Sequence, residues 1–168
     1  KEETVDVPAL VHSVLVEAEG INRGEHRIAS RIDPVWLTAN REEIRSAFSN
    51  LVTNAIRYTP AGGDILVTWE IEDGEPTLRV RDNGEGIAAE HIPRLTERFY
   101  RVDRSRSRSS GGTGLGLAIV KHVLQRHQGR LDITSEQGEG STFSCVFPAT
   151  RVAPASGTVA QVTPIRAA

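Results

Sequence analysis

The sequence predicts a two-layer α/β sandwich (α+β), in which a mixed, antiparallel-rich sheet packs on about three helices. Three stretches carry apolar residues at helical spacing, and two pairs of alternating apolar runs read as hairpins. One sheet with its helices on one face is the economical way to bury both patterns. A chain of 168 residues is long enough for a single domain with a substantial core.

Thr4-Val5-Asp6-Val7 is strand-like and stops at Pro8, a residue suited to the first turn of a helix. Leu10, Val11, Val14, Leu15 and Ala18 then recur at helical spacing, and Gly20 is expected to end that helix. A short strand is expected over 27–32. Asn40 and Glu43 form a capping-box-like pair ahead of the strongest helix, which buries Ile44, Ala47, Phe48, Leu51, Val52, Ala55 and Ile56. Ile65, Val67, Trp69 and Ile71 alternate as a strand, Asp73-Gly74 turns it, and Leu78 and Val80 run back. Residues 114–128 read as a third helix, offering Leu115, Leu117, Ala118, Val120 and Val123 for burial. Residues 131–134 and 142–147 read as a second hairpin around 137–140. The domain is expected to span 1–150, with 151–168 a disordered tail of Pro, Ala, Ser and Thr lacking periodicity.

The net charge of -2 hides an uneven distribution, because Arg94, Arg98, Arg101, Arg104, Arg106 and Arg108 crowd one short segment. That favours a local polyanion site over a globally basic surface. The single cysteine, Cys145, excludes an intrachain disulfide and sits in the apolar run TFSCVF, where it reads as a buried thiol. No apolar run approaches a membrane span, and Lys1-Glu2-Glu3 does not begin a signal peptide, so the sequence reads as soluble.

Four blocks follow one another along the chain: NLVTNAIRYT (50–59), DNGEGI (82–87), ERFYR (97–101) and GGTGLGLAIV (111–120). In the first, Asn50, Asn54, Arg57 and Tyr58 line one stripe of a helix beside its apolar face. An asparagine oxygen is a neutral hard ligand for Mg²⁺, which takes its remaining ligands from water and phosphates. Taken alone, the stripe reads as the polar rim of an amphipathic helix, and the later blocks turn that reading toward a ligand site. Asp82 stands at a strand end before Gly84 and Gly86, where a carboxylate can accept from an exocyclic amine, although an ordinary Asp-Asn-Gly turn has the same composition. Glycines opening a helix at 111–116 let backbone N–H groups approach phosphate oxygens. The absence of a following Gly-Lys-Ser/Thr excludes a P-loop.

In this order and spacing the four blocks resemble the N, first glycine, F and second glycine boxes of the ATP-binding catalytic domain of sensor histidine kinases. That family shares its fold with the ATPase modules of gyrase, Hsp90 and MutL. The resemblance covers about 4–148, and HIPRLTERFYRVDRSRSRSSGGTGLGLAIVKH (91–122) looks most like phosphate-regulon sensor kinases. It implies ATP and Mg²⁺ as ligands. Asn54 would coordinate the metal with Asn50 assisting, Arg57 would face the phosphates where the family usually has lysine, and Tyr58 would pack beside the nucleotide. The Arg57 departure keeps the charge and enlarges the donor fork. Asp82 would accept from the adenine amine, with Gly84, Gly86 and Ile87 shaping the pocket floor. Phe99 would hinge a mobile ATP lid and Arg101 would reach the γ-phosphate. Gly112, Thr113, Gly114, Leu115 and Gly116 would close that lid on the phosphates, and Thr142 would place a hydroxyl near the base.

In the related ATPases a glutamate four residues before the magnesium asparagine activates water; here that position is Asn50, a far weaker base. The resemblance therefore implies transfer to a histidine rather than hydrolysis. His12, His26, His91, His122 and His127 lack the surroundings of the family's phosphoacceptor. The expected partners are a separate dimerisation and phosphoacceptor domain and a response regulator, with this chain monomeric and the intact kinase a homodimer. The resemblance also implies a cytoplasmic domain of a protein anchored in a bacterial inner membrane. Nucleic acid is not an expected partner, because serines rather than stacking aromatics interleave the arginines. An ATP-hydrolysing module or a non-catalytic nucleotide-binding module of the same fold is the alternative.

Overall fold

The structure, a computed structural model, describes residues 1–97 and 116–155. Phe99, Arg101, Gly112, Thr113, Gly114 and Leu115, and with them the expected lid, lie outside the described residues. Among the described residues, eight strands and three α-helices follow in the order β1 (Glu3–Val5), α1 (Val7–Asn22), β2 (Arg27–Ile32), β3 (Trp36–Ala39), α2 (Arg41–Tyr58), β4 (Asp64–Glu72), β5 (Glu75–Asp82), α3 (Gly116–Arg126), β6 (Arg130–Glu136), β7 (Gly140–Val146) and β8 (Val152–Ala153). Short 3-10 turns occupy Ala89–Arg94 and Ala149–Arg151. The main sheet has the order β2-β4-β5-β7-β6, parallel only between β2 and β4. The expected mixed, antiparallel-rich sheet with three helices is therefore what forms.

Helix α1 starts where Asp6 accepts from the Ala9 N–H at 3.1 Å, and Pro8 falls in the first turn. It runs through Gly20, against expectation, and ends at Arg23, whose left-handed φ of 52° lets its N–H reach the Glu19 carbonyl. Glycine inside a helix costs only about 1 kcal/mol relative to alanine, so it does not by itself stop one. Helix α2 is capped as expected, Asn40 accepting from the Glu43 N–H at 3.1 Å. The return contact of a capping box is replaced: Asn40 N–H donates to His127 Nε2 at 3.1 Å, and the Glu43 carboxylate takes Arg126 from the end of α3 at 3.0 Å. A partner distant in sequence has displaced the local one.

The β4–β5 turn uses left-handed Asp73 and Gly74, with φ of 51° and 82°. Alternation then directs Ile65, Val67, Trp69, Leu78, Val80, Phe143 and Cys145 inward, all at or below 6% exposure, against the buried face of α2. At the centre Phe48, Trp69 and Phe147 meet with ring centroids 6.1–6.3 Å apart, and Trp69 donates its indole N–H to the Val35 carbonyl at 2.9 Å. Burial pushes the Cys145 thiol well above its ordinary range, which fits an inert core residue.

A second, three-stranded antiparallel sheet, β1-β3-β8, was not legible in the sequence. In its last strand Val152 and Ala153 pair with Leu37 and Trp36. Arg151 fastens it: Nε donates to the His127 carbonyl at 2.7 Å, Nη1 to the Thr38 carbonyl at 2.8 Å, and Nη2 to Gln128 at 2.5 Å, while Glu2 pairs with Nη1 at 3.1 Å. Arg151→Ala is expected to cost about 2 kcal/mol in urea unfolding, the sum of several hydrogen bonds of modest net worth.

Candidate functional site

The site is built along the second half of α2. Its apolar stripe faces the sheet, which leaves Asn50, Asn54 and Tyr58 half-buried on the flank and Arg57 exposed in the last turn. Asn50 donates its amide N–H to the Ser46 carbonyl at 2.8 Å, one turn back in the same helix. Its Oδ1 is thereby turned toward the start of α3, where a Cβ on Gly116 would come within 3.0 Å of it. Gly116 lets the two helices approach this closely. The Asn54 carboxamide is uncommitted among the described residues, which leaves its oxygen free for a cation.

At the other end of α2, Thr59 caps the helix through its N–H to the Ala55 carbonyl. It lies against the turn after β5, where a Cβ on Gly84 would be 3.3 Å from Thr59 Cα and 3.1 Å from Asp82 Oδ1. Thus α2 meets Gly116 at the start of α3 through Asn50 and the Gly84 turn through Thr59, nine residues or about 13 Å along the axis. Asn54, Arg57 and Tyr58 lie between them. That is an elongated strip with the Asn50 amide at one end, Asp82 at the other, and Arg57 nearer the carboxylate along the helix.

Asp82 ends β5 on the inward face and is half-buried. Burial raises its carboxyl above the usual aspartate range, partly offset by backbone N–H groups of Gly84, at 2.9 Å, and Ser141. Gly86 has φ of 75°, and a Cβ there would sit 2.2 Å from the Glu136 carbonyl, so only glycine lets this loop press on the β6–β7 turn. Ile87, half-buried, is anchored by its N–H to Ser135 Oγ at 2.8 Å. Ser135 in turn meets Ser141 Oγ at 2.8 Å and donates to the Gly140 carbonyl at 3.0 Å.

Thr142 is not in this group. Asp82 pairs with Ser141 in the ladder and Arg81 with Thr142, so Thr142 points to the outer face of the sheet. It lines a cavity of about 410 Å³ there with Arg79, Arg81, Arg130 and Ser144. There Arg79 pairs with Glu72 and Arg130 with Glu75 and Asp132, so two of its three arginines are already matched by carboxylates. The hydroxyl-bearing residue opposite Asp82 is Ser141, with Ser135 bonded to it and Thr59 against the Gly84 turn, and the sequence singled out none of them. No hairpin joins β5 to β7, so only the register of their pairing distinguishes Ser141 from Thr142.

No described helix is long and apolar enough to cross a membrane. Residues 39–151 match the family model described as histidine kinase-, DNA gyrase B- and HSP90-like ATPase. Over 153 residues the chain is 52% identical to the phosphate regulon sensor protein PhoR of Pseudomonas aeruginosa, covering 90% of this chain and 34% of that protein. Among solved structures, the mycobacterial sensor histidine kinase MprB superposes with a TM-score of 0.77 at 27% identity, over 88% of this chain and 97% of that one. Full-length ShkA, solved in complex with AMPPNP, gives 0.75 at 28% identity, over 88% of this chain and 31% of its own. The chain thus spans about a third of the length of the curated relative it matches. It belongs to the histidine kinase-, DNA gyrase B- and HSP90-like ATPase family, and its likeness within that family is to the catalytic domains of sensor histidine kinases.

Proposed function

We propose that this chain binds Mg-ATP and donates the γ-phosphoryl group to a histidine on a separate dimerisation domain, for onward transfer to an aspartate of a response regulator. The observation that carries the choice is Asn50. A hydrolase needs a base beside the attacking water, and this position holds an amide whose N–H is committed to Ser46. Transfer to an imidazole needs positioning and charge neutralisation instead. An imidazole nitrogen attacks the γ-phosphorus, the bond to the bridging oxygen breaks, ADP leaves, and the ring gives up a proton. Mg²⁺, held by Asn54 and Asn50, would supply neutralisation of the phosphates. Arg57 would add a fixed charge toward the phosphates, and Asp82 would read the adenine amine. The identity to PhoR supports phosphate sensing as the pathway served; the intact protein would then be a homodimer anchored at the inner membrane, with this domain in the cytoplasm.

The test is to join the chain to a helical phosphoacceptor domain and supply Mg-ATP. Phosphohistidine is the expected product; steady-state release of phosphate by the chain alone, lost in Asn50→Ala, would favour the hydrolysing alternative. Asn54→Ala is expected to remove the metal's contribution to ATP affinity, about tenfold, with metal-free ADP binding unchanged in calorimetry.

A further inference from the structure

His26 lies in the turn between α1 and β2, outside the matched stretch 39–151, and is only 7% exposed. Asn22, at 1% exposure, holds it from both sides: Oδ1 accepts the His26 backbone N–H at 3.0 Å, and Nδ2 donates to the His26 carbonyl at 2.9 Å. Those two backbone contacts fix the amide's orientation. The imidazole is then oriented at both nitrogens, Nδ1 lying 2.6 Å from Asn22 Oδ1 and Nε2 2.6 Å from the Thr59 carbonyl. Both facing oxygens only accept, and the Nε2–H tautomer is the one that donates to Thr59.

Thr59 faces His26 with its carbonyl and the Gly84 turn with its other side. Its Oγ1 is buried with no hydrogen-bond partner, 3.4 Å from where a Cβ on Gly84 would stand. Gly84 N–H donates to Asp82 Oδ1 at 2.9 Å. A continuous run of contacts therefore leads from a turn outside the site, through the end of α2, to the carboxylate. We propose that His26 is a positioning residue for the adenine end of the site: by pinning the Thr59 carbonyl it fixes the gap between α2 and the Gly84 turn, and it holds the Thr59 hydroxyl against the turn whose Gly84 N–H donates to Asp82. An unpartnered buried hydroxyl costs stability. A bound base, or a water held with it, supplies the missing partner. The phosphate end, at Asn50 and Gly116, touches none of these atoms.

The inference rests on the nucleotide reading, and the test separates the two. The complete 168-residue chain is titrated calorimetrically with ADP and with inorganic tripolyphosphate, and its melting is followed without ligand. His26→Ala is expected to weaken ADP about tenfold, as one lost hydrogen bond would, and to leave tripolyphosphate unchanged. His26→Gln, which keeps a donor for Thr59, is expected to recover most of the loss. Thr59→Val, which keeps the fold and deletes only the hydroxyl, is expected to weaken ADP selectively as well. Wild-type ADP affinity in His26→Ala or Thr59→Val, an equal loss for both ligands, or no recovery in His26→Gln overturns the positioning role while leaving nucleotide binding intact. Failure of the parent chain to bind ADP overturns the nucleotide reading, and this inference falls with it.

Discussion

Asp82→Asn is expected to reduce adenine-nucleotide affinity about a hundredfold while melting no lower than the parent at neutral pH. The loss follows from donor geometry. Gly84 and Ser141 offer backbone N–H groups to Asp82, and both would compete for the single oxygen of an asparagine. The amide NH₂ would then face the base, opposing a donor to the adenine amine. Stability moves the other way because the ionised carboxyl is half-buried, and burial raises its pKa. A carboxyl raised on folding stabilises the folded state least when ionised, so stability declines as pH climbs from the ordinary aspartate value through the raised one. Nucleotide affinity, which needs the carboxylate, strengthens over the same interval. Melting and calorimetry across the acid range should show these opposed slopes in the parent and neither in Asp82→Asn.

Gly140→Ala is the second large effect, expected to cost more than about 3 kcal/mol in chemical denaturation and to abolish nucleotide binding together with it. The added Cβ would stand 2.1 Å from the Asp82 carbonyl and 2.8 Å from Asn83 Cα, and φ at this residue is 123°. Neither obstacle is a flexible side chain. Relief requires parting β5 from β7 where Asp82 pairs with Ser141, which moves the carboxylate itself. Parent-like denaturation of this variant would contradict the register on which the site depends.

Elements whose pattern is carried by many residues were legible in the sequence. The seven buried positions of α2 recur at helical spacing, and β4 and β5 alternate around a turn whose residues favour left-handed φ. β3 and β8 were not, because strands of four and two residues hold too little alternation to read, and their partners are remote. Within the site, Asp82 and its glycines were visible because the turn demands their residue types. Ser141 was not: choosing it over Thr142 requires the ladder register, which tertiary pairing fixes. The contacts of Asn40 with His127 and of Arg151 with Thr38 likewise join residues with no local signature.

The small sheet carries a further consequence, for the order of events in folding. β1 pairs with β3 across one helix and one strand, but β8 pairs with β3 only after nearly the whole chain has been laid down. Closing so long a loop is entropically expensive, so β8 is expected to dock last and to open first. Its amides, and those of Trp36 and Leu37 opposite, should exchange with solvent hydrogen well before those of β4 and β5, marking that edge as the point where native-state opening begins.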